Sequence, residues 1–239
     1  MEKILNDIIE AHGGIQKWRQ FNKIEAKIVG GGKLFELKGL PMDDSQRQMT
    51  VWLHEQKSSV YPFGSPDYKA LYSPERVAIE TLNGAVIAER SGNPDEIHEH
   101  VKALQWDPLD LAYFNGYALY TYLTTPFFLL TPGFEIKEID PWQEGDEIWK
   151  GLSVTFPSHI TTHSKVQNFY FGKDNLIRRH DYHIDIAGNF QATQYISDLQ
   201  KVQGIMIPAK RRAYKMDSNG NPILTELMAT IDLSGFHLS

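Results

Sequence analysis

The chain has 239 residues, a net charge of −6, 41% hydrophobic residues and no cysteine. A chain of this length buries roughly 70–75% of its unfolded surface without covalent help, and the missing thiols exclude disulfides, thiolate metal sites and cysteine nucleophiles. Its basic residues are scattered apart from Lys210, Arg211 and Arg212, so no basic stripe favours nucleic acid.

The start, MEKILNDIIEAHGG, is acidic and amphipathic, with Ile4, Leu5, Ile8 and Ile9 at helical spacing. It lacks a signal-peptide pattern, which predicts a cytoplasmic protein, or a periplasmic one had a leader been removed. Gly13-Gly14 ends this helix, and Ile15 to Phe21 form a short second one. The period then changes to two: KIEAKIV alternates Ile24, Ala26 and Ile28 against Glu25 and Lys27, a half-buried strand. The GGG at 30–32 marks a break or bulge with no helix after it, which excludes a phosphate-binding loop.

Residues 47–61 carry a further strand or two, and RVAIETLNGAVIAER reads as a hairpin closed by a type I′ turn at Asn83-Gly84. Residues 94–106 are polar and weakly helical. Asp107 is an N-cap with Pro108 at the first helical position, so a helix runs from about 108 to 124 and stops before Pro126. From FEIKEI onward the chain reads as strands spaced about ten residues apart with hairpin turns, the signature of an antiparallel meander.

Residues 111–130, LAYFNGYALYTYLTTPFFLL, carry no charge. The stretch is long enough to span a bilayer, but its four tyrosines, three threonines, Asn115, Gly116 and Pro126 make it weakly apolar, and no transmembrane span is expected. Its helix is hydrophobic all round, so it must be covered on most sides. The concave face of a curved sheet is the natural cover. Two readings stay open: the segment is plain core, or it is a lid over a cavity that takes an apolar ligand. On the second, Tyr113, Phe114, Tyr117, Phe127 and Phe128 line the ligand.

The order of these elements resembles the LolA/LolB fold of bacterial lipoprotein carriers. The segment YISDLQKVQGIMIPAKRRAYK, residues 195–215, carries the resemblance most locally, with Asp198, Val202, Gly204, Ile205 and Pro208 at the matching positions. FYFGKDNLIRRHDY is similar to the hairpin that precedes it. The resemblance spans the whole chain in architecture and residues 166–233 in sequence pattern. It implies one α+β domain over residues 1–239: a strongly curved antiparallel sheet, a half-open β-barrel of about ten strands, with an apolar helix covering its concave face. The N-terminal helix would occupy about 2–21 and the helical lid about 107–130. It further implies an apolar cavity and a hydrophobic small molecule or lipid as partner. One member of this fold class is an enzyme of pigment biosynthesis, so catalysis is compatible with the scaffold.

The strand LIRRHDYHID concentrates the polar groups. Alternation places Leu176, Arg178, His180, Tyr182 and Ile184 on one face and Ile177, Arg179, Asp181, His183 and Asp185 on the other. The first set has apolar ends, so it is expected inward, with the second a solvated outer face. Arg178, His180 and Tyr182 then either hold the anionic or carbonyl end of a ligand or form an internally satisfied network. No metal site or cofactor is expected: His98-Glu99-His100 and His159…His163 have suggestive spacings, but neither has a nearby carboxylate to complete it. Three functions follow: a non-catalytic binder of hydrophobic molecules, a small-molecule enzyme using the Arg178/His180/Tyr182 face, or a scaffold whose cavity is filled by its own lid.

Overall fold

The computed structural model describes residues 2–239. In chain order the elements are α1 (Glu2–Ala11), α2 (Ile15–Trp18), β1 (Lys23–Gly31), α3 (Lys33–Leu37), β2 (Arg47–Trp52), β3 (Lys57–Tyr61), β4 (Tyr68–Ser73), β5 (Arg76–Thr81) and β6 (Val86–Ser91). Then follow α4 (Pro94–His100), α5 (Pro108–Thr124), a 3-10 turn at Phe127–Leu130, β7 (Glu135–Glu144), β8 (Glu147–Thr155), β9 (Val166–Phe171), β10 (Ile177–Ile184), β11 (Phe190–Val202), β12 (Ile205–Met216) and β13 (Pro222–Leu238).

The strands form one antiparallel sheet in the order β6-β5-β4-β3-β2-β1-β13-β12-β11-β10-β9-β8-β7. Every neighbour is a sequence neighbour except β1 and β13, which join the two halves, Ile24 opposite Leu238. The outermost strands, β6 and β7, do not pair, so the sheet is an open trough rather than a closed barrel. It has thirteen strands, not about ten. Tyr68–Ser73 is the strand most easily missed, because prolines, glycine and serines on both sides of it read as loop.

Helix α5 lies in the trough. It packs on β2, β3, β4, β5 and β6, while its tyrosines reach side chains of β10 and the β8–β9 connection on the other half. Its start is fixed as the sequence predicts: Asp107 caps the helix, its side chain accepting from Asp110 N while Asp110 accepts from Asp107 N, with Pro108 at the first position. Gly116 lets the helix approach the sheet closely, since a Cβ there would overlap the Tyr72 ring. Among the described residues no helix is long and apolar enough to cross a membrane.

Several local expectations are corrected. The Asn83-Gly84 hairpin is not type I′, which needs positive φ at both central residues. Only Gly84 has it; Gly84 N bonds Thr81 O, so Leu82-Asn83 make the turn and Gly84 follows as a bulge. A type I′ pair does occur at Gln203-Gly204, both with positive φ, between β11 and β12. The glycines at 30–32 do lead into a helix, the five-residue α3, entered through Gly32 at φ 122°. Of the positions that carry the resemblance, Asp198 has φ 55° within β11, where the register with β12 runs on unbroken from Ser197–Lys210 to Leu199–Pro208.

The faces of β10 are the largest correction. The β9–β10 register slips between Ile177 and Arg179, so Arg178 is the extra residue of a bulge. Its guanidinium turns back to Asp174 at 2.5 Å and is partly exposed, so Arg178 does not enter the interior. Beyond the bulge the parity is as expected, with His180, Tyr182 and Ile184 inward. The outer face is solvated toward its end, where His183 is half-buried and Asp185 exposed, but not at Arg179 and Asp181. Arg179 is 0% exposed and grips Asp181 with two bonds of 2.8 and 2.7 Å, while its Nη2 donates to Gly220 O at 2.6 Å. The Trp142 ring covers it at 3.9 Å, with Tyr170 and Tyr195 beside it.

Candidate functional site

The interior between α5 and strands β10 to β13 holds a chain of polar groups. Arg211 starts it. In β12, alternation puts Ile205, Ile207, Ala209, Arg211 and Ala213 on the buried face, with Lys210 and Arg212 on the other. Arg211 is 2% exposed; its Nη1 donates to Gln194 Oε1 at 2.8 Å and its Nη2 to Tyr122 O at 2.6 Å. That carbonyl has no helical partner, because the residue four further on is Pro126, which lacks an N–H. A cation there also complements the C-terminal end of the helix dipole.

The chain continues from this fixed donor. Gln194 presents its oxygen to Arg211, so its amide nitrogen donates to Tyr182 Oη at 3.3 Å. Tyr182 Oη shares a hydrogen bond with Tyr122 Oη at 3.1 Å, and Tyr122 Oη one with His163 Nε2 at 2.7 Å. His163 Nδ1 lies 3.0 Å from Tyr117 Oη, so a neutral imidazole donates to one of the two phenols and accepts from the other. The His163 ring stacks on Tyr182 at 4.4 Å. His180 lies alongside, bonded to Gln167 Oε1 at 2.6 Å and stacked on Phe169 at 4.2 Å.

Burial sets the charge states. It lowers His163 to a pKa of about 3 and His180 well below the usual imidazole range, the latter with further help from His163 and Arg211. It raises Tyr117, Tyr122 and Tyr182 above the ordinary phenol value. Every link except Arg211, itself held down to about 10 by burial, is therefore neutral at neutral pH.

Next to this chain is an apolar cavity of about 40 Å³. Leu34 and Phe35 of α3, Met42, Val60, Phe114, Ala118 and Leu119 of α5, and Ile184 and Ile231 form its walls. Tyr122 and Tyr182 close its polar end, and Arg47 and Asn115 also contribute to its lining. The volume barely exceeds one water's share of ~30 Å³. The trough is thus filled mainly by the chain's own α5.

The sequence-selected residues fall into three groups. Phe114 and Tyr182 line the cavity, and Tyr117 is one step away through His163. Tyr113 lies deeper toward α4, its hydroxyl bonded to His98 at 3.2 Å. Phe127 and Phe128 sit at the other end of the lid, stacked on Trp18 at 4.3 Å and against Tyr120, Phe134 and Phe156; they border a surface recess instead. His180 is interior and Arg178 is outside. Sequence reasoning missed Tyr122, His163, Gln194 and Arg211. For Arg211 a signal existed, because the apolar row of β12 runs through it.

The histidine spacings do not assemble metal ligands. His98 bonds Tyr113, His100 bonds Asp110 at 2.9 Å, and His163 is inside while His159 borders surface recesses. His100, Asp107 and Asp110 do bring ligand atoms within 4.8 Å of one another, but Arg90 already bridges both carboxylates at 2.8 Å each.

No protein-family model matches the chain, and no curated protein matches it in sequence. Solved structures do match in shape. A LolA superfamily protein from Nitrosomonas europaea superposes with a TM-score of 0.55 at 10% identity, covering 99% of this chain and 93% of that one. A DUF1329 family protein from Desulfovibrio piger gives 0.54 at 12% identity, over 100% and 92%. A putative outer membrane lipoprotein-sorting protein domain from Vibrio parahaemolyticus gives 0.50 at 8% identity, over 96% and 93%. Likeness at such identity speaks for the fold alone, and the chain has a LolA-like fold.

Proposed function

We propose that this protein binds a hydrophobic small molecule or lipid, without catalysis, in the trough beside α5. The observation that carries the reading is the apolar cavity between α3, α5 and β13, walled almost wholly by hydrocarbon and bordered by the cover segment of residues 33–47. A guest larger than a water enters by moving that cover, in which the short α3 lies between Gly32 and Gly39, both at positive φ. The solved neighbour described as a putative lipoprotein-sorting domain supports the same class of ligand. The charge states support a binding role: general acid–base catalysis works best with groups poised near the operating pH, and burial moves His163, His180 and the three phenols away from it.

One observation favours a second reading. At about 40 Å³ the cavity is nearly full, as in a scaffold whose trough is occupied by its own lid. Titration with the neutral dye Nile red separates the two. Binding of an apolar guest gives a saturable blue-shifted signal at one dye per chain, displaced by dodecanol. A self-filled scaffold gives only a weak signal that rises linearly with dye.

A further inference from the structure

Arg211 is a buried charge with no counter-charge. Both of its acceptors, Gln194 Oε1 and Tyr122 O, are neutral, and its Nε has no partner among the described residues. The other arginine buried to this depth, Arg179, has Asp181. Removing a guanidinium from water costs several kcal/mol unless an opposite charge or a full set of acceptors offsets it. Gln194 bridges Arg211 to Tyr182, and the Arg211 guanidinium lies 4.5 Å from the centre of the Tyr122 ring; these are the two phenols in the cavity lining. The far walls of that cavity are hydrocarbon.

We propose that the guest of this cavity is a long-chain carboxylate, a fatty acid, bound head-inward beneath α5. Its carboxylate accepts from the Tyr182 and Tyr122 hydroxyls, which turn away from each other and from His163 to meet it, and it supplies the counter-charge that Arg211 lacks. Its chain runs out between α3 and β13 past Leu34, Phe35 and Ile231. This identification rests on the reading of the trough as a binding site for apolar guests. Arg47 is the alternative anchor, for a head left at the rim, but it already pairs with Asp43 at 2.7 Å. A carboxylate gains more from the uncompensated, water-excluded arginine than from a half-buried one that already has its carboxylate.

The test compares three ligands of equal chain length by isothermal titration at pH 7.5: dodecanoate, dodecanol and dodecyltrimethylammonium. The expected order is dodecanoate tightest, by tenfold or more over the alcohol, and the cation weakest. Arg211→Gln should erase the preference for acid over alcohol, and Arg47→Gln should keep it. Equal binding of acid and alcohol overturns the carboxylate assignment and leaves the apolar site standing. Binding of none overturns both. A preference erased by Arg47→Gln and kept by Arg211→Gln puts the head at the rim and overturns the head-inward pose. Should Arg211→Gln fail to fold, carboxyl-labelled dodecanoate on the unaltered protein decides by NMR. Beside Arg211 the bound carboxyl titrates below the free acid; a value above the free acid overturns the pairing.

Discussion

Between pH 7 and pH 4 this protein should lose most or all of its stability. Three imidazoles are buried in neutral form. His12 is lowered by burial to about 4, with Nδ1 donating to Ile8 O at 2.8 Å and Nε2 accepting from Ile177 N at 3.4 Å. His163 lies at about 3 and His180 well below its usual range, both through burial. In the unfolded chain each takes up a proton near pH 6.5. The unfolded state therefore binds more protons than the folded state throughout the window from 6.5 down to the folded values. Stability is complete above that window and falls as the pH drops through it, by roughly 4 kcal/mol per pH unit when all three contribute. Against a total of ~5–15 kcal/mol, unfolding should have its midpoint between about pH 4 and 5. Urea midpoints measured at pH 7, 6 and 5 should fall steeply in that order, and His12→Gln should flatten the slope by about a third. A urea midpoint unchanged from pH 7 to pH 5 would show that these imidazoles are not buried neutral.

Asp181→Ala should cost about 3–5 kcal/mol, the toll of leaving a buried arginine without its carboxylate. Arg179 has little else: a bond to Gly220 O, a weak one to Met216 Sδ at 3.7 Å, and the faces of Trp142, Tyr170 and Tyr195, with Nη1 unpartnered. Replacing both members, Arg179→Met with Asp181→Leu, should recover much of the loss, because the site then carries no stranded charge. Thermal unfolding of Arg179→Met, Asp181→Leu and the double variant closes the cycle. If Asp181→Ala melts like the parent, the pair is solvated after all and Trp142 does not cover it.

Much of the architecture was legible because it is periodic. Strands alternating every two residues, and hairpin turns at Gln203-Gly204 and Ser218 to Asn221, announce the meander; Asp107-Pro108 and Pro126 bracket α5 to the residue. A helix apolar all round after its first turn needs cover in water, so its place in a curved sheet followed from composition. What failed was a bulge and a roof. One extra residue at Arg178 turns that side chain out of the row it was expected to share with His180, Tyr182 and Ile184, and no pattern within β10 reveals the slip, because it belongs to the pairing with β9. Trp142, more than thirty residues before Arg179 in sequence, turns an apparent outer face into a buried one. Tyr122 looked like one more ring of the lid, and His163 like half of a metal pair; only the fold brings them to Tyr182 and Arg211.

A greasy guest must enter the trough by shifting its cover. Hydrogen exchange with and without saturating dodecanol reads this segment by segment. Exchange should change at residues 33–47 and along 114–122, the segments that wall the cavity on two sides, while β7 and β8 stay as they are. Exchange that is the same everywhere, or altered only on the outer face around Trp142, would contradict it.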